Sequence, residues 1–259
     1  MSLQGKCALI TGSSEGLGLE MARALLRADC AVMLHGLAAP ADMEARLAAL
    51  SHTGSVAYTQ ADLRDPLAID SLIDSARSLT GSIDILINNA VVRHFAPVEA
   101  LPLEQWHESL AVNLTAPLLC IQMSLPDMRA HGWGRIFNMT SVYGSRGAVN
   151  RVGYVTTKTA LLGLTRAVAL ETLGQGITCN AVCPGSVQTP DIDARIGELI
   201  QSRGLDRADA IREFLTGKQP TGTLIDARHV AELVVFLCGE SASQITGAML
   251  PLDGGWLAS

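Results

Sequence analysis

Directly after its first apolar run the chain reads Thr11-Gly12-Ser13-Ser14-Glu15-Gly16-Leu17-Gly18, and a helical pattern opens within those residues. No other feature narrows the fold as much. Glycines in a strand–turn–helix junction let the backbone turn tightly, approach a pyrophosphate and pack the helix on the sheet, with the helix N-terminus facing the anion. The spacing is G-x-x-x-G-x-G, one residue longer in its first gap than the usual dinucleotide fingerprint. It also lacks the Lys-Ser/Thr ending of a P-loop, which argues against a nucleotide triphosphatase. A glycine-rich turn with no ligand is the plain alternative.

The rest of the chain keeps the rhythm that this junction starts. Residues 6–11, 30–35, 55–60, 83–88, 135–140, 176–182 and 248–252 read as strands. Helical patterns lie between them, near 16–28, 40–50, 66–80, 103–130, 153–173 and 226–239. Strands buried on both faces show continuous apolar runs, as residues 7–10 and 83–87 do. This β-α-β-α order predicts an α/β fold with a doubly wound parallel sheet, seven-stranded and covered by helices on both faces. Ligands then collect beyond the carboxyl ends of the strands.

With 259 residues, 48% of them apolar, the chain can bury one core, and no stretch reads as a linker, so residues 1–259 are expected to form a single domain. The N-terminus lacks a charged leader followed by a long apolar run, and no uncharged apolar stretch is expected to approach the roughly 20 residues of a membrane span. A net charge of −6 argues against nucleic acid as a partner. Six cysteines (Cys7, Cys30, Cys120, Cys179, Cys183, Cys238) lie mostly inside apolar runs without C-x-x-C spacing, as reduced core thiols of a cytoplasmic protein would. The histidines at 35, 52, 94, 107, 131 and 229 show no ligand spacing, so no catalytic metal is expected.

Chemistry enters with Ser141, which ends the fifth predicted strand, followed thirteen residues later by Tyr154 and four positions on by Lys158. Residues at i and i+4 share a helix face. A free phenol titrates near ~10 and is a poor base at neutral pH, whereas a nearby ammonium favours the phenolate. Ser141 can donate to a substrate oxygen on which negative charge builds. Asn88-Asn89-Ala90 follows the fourth strand; short amides there can cross-link loops, and alone the triplet would be only a turn.

Together the Thr-Gly-x-x-x-Gly-x-Gly loop, Asn88-Asn89-Ala90, Asn113, Ser141, Tyr154-x-x-x-Lys158 and Pro184-Gly185 resemble the short-chain dehydrogenase/reductase family over essentially the whole chain. The resemblance implies a Rossmann-like fold, a homotetramer, and a catalytic set of Asn113, Ser141, Tyr154 and Lys158 in which Asn113 holds a water that relays protons. It implies a nicotinamide dinucleotide held by Gly12, Ser14, Glu15, Gly16, Leu17, Gly18, Leu37, Asp62, Leu63, Asn89, Ala90, Tyr154, Lys158, Pro184, Gly185, Val187 and Thr189. Val91 departs from the glycine common in the family. Asp62, after the third strand, is read as a neighbour of the adenine, with a surface residue closing a strand as the near alternative.

A 2′-phosphate needs a cation in the glycine loop or after the second strand. Glu15 and His35-Gly36-Leu37 offer none, so NAD is favoured over NADP. The acid that usually grips the ribose hydroxyls is equally missing.

Residues 170–178, Lys218-Gln219-Pro220 and 244–256 are similar to bacterial D-3-hydroxybutyrate dehydrogenases, which implies a substrate lid at about 190–222. Those enzymes hold a small carboxylate with Gln, His, Lys and Gln, where this chain has Arg93, Tyr143, Arg151 and Arg195; Ser186 stands in place of a Trp, and Trp256 is kept. Arg forks grip carboxylate, sulfonate or phosphate. The substrate-binding set is therefore Arg93, Ser141, Tyr143, Arg151, Arg195 and Trp256, on an anionic hydroxy compound of the 3-hydroxybutyrate type or larger, with a sulfonated or multiply charged hydroxy compound as the alternative. The plain alternative puts some of these arginines on a solvated face. His94 is read as an exposed loop histidine. Two rival functions are a 3-oxoacyl-thioester reductase using NADPH and a cofactor-binding protein without catalysis; the complete Ser-Tyr-Lys set speaks against the second.

Overall fold

The computed structural model describes residues 2–259. Seven strands are present: β1 (Cys7–Ile10), β2 (Ala31–Gly36), β3 (Val56–Gln60), β4 (Ile85–Asn88), β5 (Gly134–Met139), β6 (Ile177–Pro184) and β7 (Met249–Leu252). They pair in parallel in the order β3-β2-β1-β4-β5-β6-β7. All the strands expected from the sequence form. The order reverses between β1 and β4, so the loops leaving these neighbours diverge and open a crevice at their carboxyl ends.

Among the described residues the nine α-helices are α1 (Gly16–Arg27), α2 (Pro40–Ser51), α3 (Pro66–Thr80), α4 (Leu103–Leu110), α5 (Ala116–His131), α6 (Val152–Glu171), α7 (Pro190–Arg203), α8 (Arg207–Leu215) and α9 (Ala227–Cys238). Local chemistry sets their ends. Asp65 accepts from the backbone N–H of Leu67 to cap α3, Pro66 occupies its first turn, and Gly81 stops it in the left-handed conformation. On one face of the sheet Met21, Leu25, Val230 and Val234 cover Ile10, Val32 and Leu34. On the other, Ile69, Leu72, Ile73, Cys120 and Ile121 cover Leu9, Leu86 and Ile136.

Three expectations change. The single helix read over 103–130 is two helices joined by a widened π turn at Ala111–Thr115. Pro117 lacks an N–H for the Asn113 carbonyl four residues back, and its ring crowds that carbonyl, so the turn opens. Residues 109–126 carry no charge, and Leu103–His131 is by length and composition able to cross a membrane, contrary to the expectation of no such stretch. Its apolar character has another cause: Ala116, Cys120, Ile121, Leu125 and Met128 pack into the core. Finally, residues 190–222 include a helix pair, α7 and α8, closing around Ile196, Ala210, Phe214 and Leu215. The expected thiols are all buried and unbridged.

Candidate active site

The glycine loop sits at the switch point, stitched to the loop after β4. Asn89 Nδ2 donates to the carbonyls of Thr11 at 3.0 Å and Gly12 at 2.7 Å. Thr11 Oγ1 accepts from the backbone N–H groups of Asn89 and Ala90 at 3.0 and 3.1 Å. The Asn88-Asn89-Ala90 triplet thus cross-links loops, as its short amides allow. Asn88 itself faces the other way and donates to Asn138 Oδ1 on β5 at 2.9 Å.

Two glycines are required by closeness. A Cβ on Gly12 would lie 2.7 Å from the Ala90 Cα, and one on Gly18 would lie 2.7 Å from the Ser13 Cα. Gly12 and Gly16 both have positive φ. α1 begins beside Glu15, which makes no side-chain cap bond, whereas α3, α7, α8 and α9 are capped by Asp65, Thr189, Asp206 and Asp226. Free N–H donors at a helix start are what a pyrophosphate requires, so the cradle fits a dinucleotide.

Two side chains that motif reading passed over shape this end. Buried His35 accepts from the Gly12 N–H at Nδ1 (3.0 Å), with Nε2 3.0 Å from the Ala61 carbonyl. Arg46, on α2, donates to the Ser14 carbonyl, bringing a guanidinium to a loop whose local sequence has none. Among the expected cofactor contacts, Leu37 is largely exposed after β2 and Leu63 is buried after β3. Asp62 is held by Arg64, whose Nε donates to both its oxygens at 3.0 and 2.9 Å. That bond keeps the Asp62 carboxyl below the usual range. Pro184 closes β6, Val187 bridges to Ile225, and the Thr189 hydroxyl caps α7.

The face of α6 toward the crevice carries Tyr154 and Lys158, both buried. Lys158 Nζ donates to the Met139 carbonyl at the end of β5 at 2.6 Å and lies 5.8 Å from the Tyr154 ring centroid. Burial first, then repulsion from Arg93, pushes the ammonium down to about 7. Ser141 Oγ accepts from the Tyr143 N–H at 3.3 Å and starts a short turn leading away from β5. Asn113 spends its side chain on Val92, accepting from its N–H at 2.9 Å and donating to its carbonyl at 3.0 Å.

Around this centre the cationic residues converge. Arg93 Cζ lies 5.7 Å from the Tyr154 ring, and its Nη1 is 3.4 Å from Asp191 at the start of α7. Arg151 sits between Phe95 at 4.6 Å and Tyr143 at 5.3 Å, and Tyr143 meets Trp256 edge-on at 5.4 Å. Burial, with repulsion from Arg195 and Arg93, pulls the Arg151 guanidinium below its ordinary value. Arg195 lies 5.3 Å from Phe214. His94 is not a free loop side chain: it is half-buried, with Nε2 2.9 Å from Glu108.

A family profile described as Enoyl-(Acyl carrier protein) reductase matches residues 12–257. A D-beta-hydroxybutyrate dehydrogenase of Rhizobium meliloti (strain 1021) is 38% identical over 98% of this chain and 99% of its own length. One of Cupriavidus necator is 37% identical over 99% of each. Among solved structures, L-sorbose reductase of Gluconobacter frateurii, complexed with NADPH and L-sorbose, superposes with a TM-score of 0.94 at 27% identity, covering 100% of this chain and 99% of that one. The chain therefore belongs to the short-chain dehydrogenase/reductase family, as an oxidoreductase acting on CH–OH donors and interconverting secondary alcohol and ketone.

Proposed function

We propose that the chain is an NAD-dependent dehydrogenase for an anionic hydroxy acid of the 3-hydroxybutyrate type or a larger analogue. The observation that carries this reading is the placing of Arg93 beside Tyr154 and of Arg151 beside Tyr143, which meets Trp256, with Arg195 near enough to repel Arg151. Among the described residues only Arg93 of the three meets a carboxylate, the exposed Asp191, and guanidiniums with so little neutralising charge beside a reactive phenol are a receptor for a substrate carboxylate. The relatives named for hydroxybutyrate act on a molecule of that charge.

In oxidation Tyr154 Oη takes the hydroxyl proton, and the bound dinucleotide supplies the hydride acceptor. The Lys158 ammonium favours the phenolate form that does this work. Ser141 donates to the substrate oxygen and holds it beside Tyr154. Asn113, whose carbonyl receives no N–H from Pro117, holds a water leading from Lys158 to solvent. Gly12, Ser14, Glu15, Gly16, Leu17 and Gly18 cradle the pyrophosphate; Leu37, Asp62 and Leu63 border the adenosine; Asn89, Ala90, Pro184, Gly185, Val187 and Thr189 border the nicotinamide. Residues 190–222 act as a substrate lid, and Arg195 rides on it.

A panel of hydroxy acids, followed by NADH absorbance, tests the reading, with Arg151→Ala and Arg195→Ala expected to raise KM for anionic substrates. Unchanged KM values throughout would end it. The rival 3-oxoacyl-thioester reductase gains one supporting observation, Arg46 beside Ser14, and coenzyme titration separates the two. The same proposal includes a homotetramer in the cytoplasm. Exposed Leu118 and Leu170 suit burial by a partner subunit, and unbridged thiols suit a reducing compartment. A monomer by light scattering would remove the first part.

A further inference from the structure

A fourth cation lies within reach of this group's charge. Lys218, at the far end of the 190–222 segment, places Nζ 3.8 Å from the Phe214 ring, the ring that also carries Arg195. Its ammonium donates to the Phe214 carbonyl at 2.5 Å. Burial, then repulsion from Arg195 and Arg151, pushes it down to about 8. Arg151 in turn feels Arg195 and Arg93, and Arg93 reaches Tyr154. The four cations therefore form one arc from the reacting centre to Phe214.

Little on the protein neutralises that arc. Among the described residues Asp191 alone pairs with any of the four, through Arg93. Nor is Lys218 on a loose strand. Its neighbour Gln219 is buried, accepts from the Ser186 N–H, and donates to the Thr223 carbonyl at 2.7 Å. The Thr221 N–H is tied to the Gly254 carbonyl at 3.2 Å. The lysine is thus anchored beside the segment that follows β6.

Gathering like charges in partly buried positions is unfavourable unless a ligand compensates them. One carboxylate has two oxygens, which suits Arg93 and Arg151 at the Tyr154 end and leaves Arg195 and Lys218 unanswered. We propose that the substrate carries two anionic groups, one on the Arg93–Arg151 side and a second, carboxylate or another oxyanion, held between Arg195 and Lys218 over Phe214. This rests on the reading that the pocket receives an anionic hydroxy acid, and it names the class more narrowly.

The test uses the full-length protein loaded with NADH and two non-reacting probes, pentanedioate and its monomethyl ester, titrated by calorimetry. The dianion is expected to bind about thirtyfold more tightly, the value of one further charge-assisted contact. Lys218→Met and Arg195→Met are each expected to collapse that ratio to below about threefold. At pH 8.5 the dianion should also draw a fraction of a proton onto Lys218, seen by comparing two buffers of different ionisation enthalpy, and Lys218→Met should abolish the uptake. Equal affinity of both probes, or a ratio that survives Lys218→Met, overturns the inference. The activity reading has a separate readout: if 3-hydroxybutanoate and 3-hydroxypentanedioate both fail to reduce NAD while the Lys218-dependent preference remains, that reading falls and the second anion site stands.

Discussion

The backbone N–H of Gly12 donates to Nδ1 of His35, tying the first glycine of the loop after β1 to an imidazole buried at the end of β2. The opposite nitrogen lies 3.0 Å from the Ala61 carbonyl. With Nδ1 accepting and Nε2 donating, the ring is neutral. Burial, only partly opposed by the Ala61 carbonyl and by Asp62, holds its pKa below 6.5. In the unfolded chain the same histidine takes a proton near ~6.5. Between the folded and unfolded values the unfolded state binds more protons, so stability is complete above about pH 6.5 and is lost as pH falls below it. His35→Asn, which keeps an acceptor for Gly12 and does not titrate, should flatten this acid limb in urea unfolding between pH 5 and 7. An unaltered limb would mean that other groups cause it. His35→Ala strands two buried polar groups and should cost about 1–3 kcal/mol.

Lys158 gives the opposite kind of test, a group whose burial costs stability and whose charge the proposed chemistry uses. Its ammonium sits at about 7 in the folded chain against an ordinary 10.5. Across that window the unfolded state again holds the extra proton, so stability rises with pH from 7 towards 10.5, and at lower pH the desolvation cost is fully present. The melting temperature of Lys158→Met relative to the unchanged protein should be most favourable at pH 6 and lose that advantage by pH 10. Turnover should fall about 10³-fold, as for the loss of a group that sets a general base. Parallel melting curves across the whole range would contradict the burial argument.

At Gly18 the obstacle is backbone. A methyl group there would lie 2.7 Å from the Ser13 Cα and 2.8 Å from Asn89 Nδ2, and would also press on the Gly12 carbonyl. None of these can swing aside without breaking the stitch between the β1 and β4 loops. Gly18→Ala should cost about 1–3 kcal/mol and lower the Tm by about 2–12 °C. Dinucleotide affinity, read by NADH fluorescence, should drop with it. Native affinity and native Tm together would show that the junction is slacker than its geometry.

What was legible in the sequence is what local spacing fixes. The glycine loop and Tyr154-x-x-x-Lys158 set their own geometry within a turn or two of helix, and continuous apolar runs mark strands buried on both sides. His35 and Arg46 were not legible as loop partners, because they meet Gly12 and Ser14 only when β2 and α2 are laid beside β1. The α7–α8 pair was hidden because its apolar residues serve a small separate core rather than a long stripe against the sheet. The π turn did have a signal, Asn113 followed four residues later by Pro117, which a period count alone passes over. Lys218 falls between these cases: its motif was visible, but its place among Arg151 and Arg195 depends on how the 190–222 segment folds back.

In the proposed binding mode, coenzyme choice turns on two opposed charges at the adenosine end. Glu15, at the start of α1, repels a 2′-phosphate, and β2 ends in His35-Gly36-Leu37 with no cation. Against them stands Arg46, whose guanidinium already has one partner in the Ser14 carbonyl. A guanidinium engaged on one edge keeps other N–H donors, so it can still meet a phosphate, though less well than a fork aimed at it. The expected balance is kcat/KM for NAD at least about tenfold above that for NADP, equivalent to about 1.4 kcal/mol. Arg46→Ala should widen the gap by removing residual NADP use, while Glu15→Ser should narrow it. Steady-state kinetics with both coenzymes at fixed alcohol measures all three. A preference for NADP that disappears in Arg46→Ala would reverse the assignment and make Arg46 the phosphate receptor.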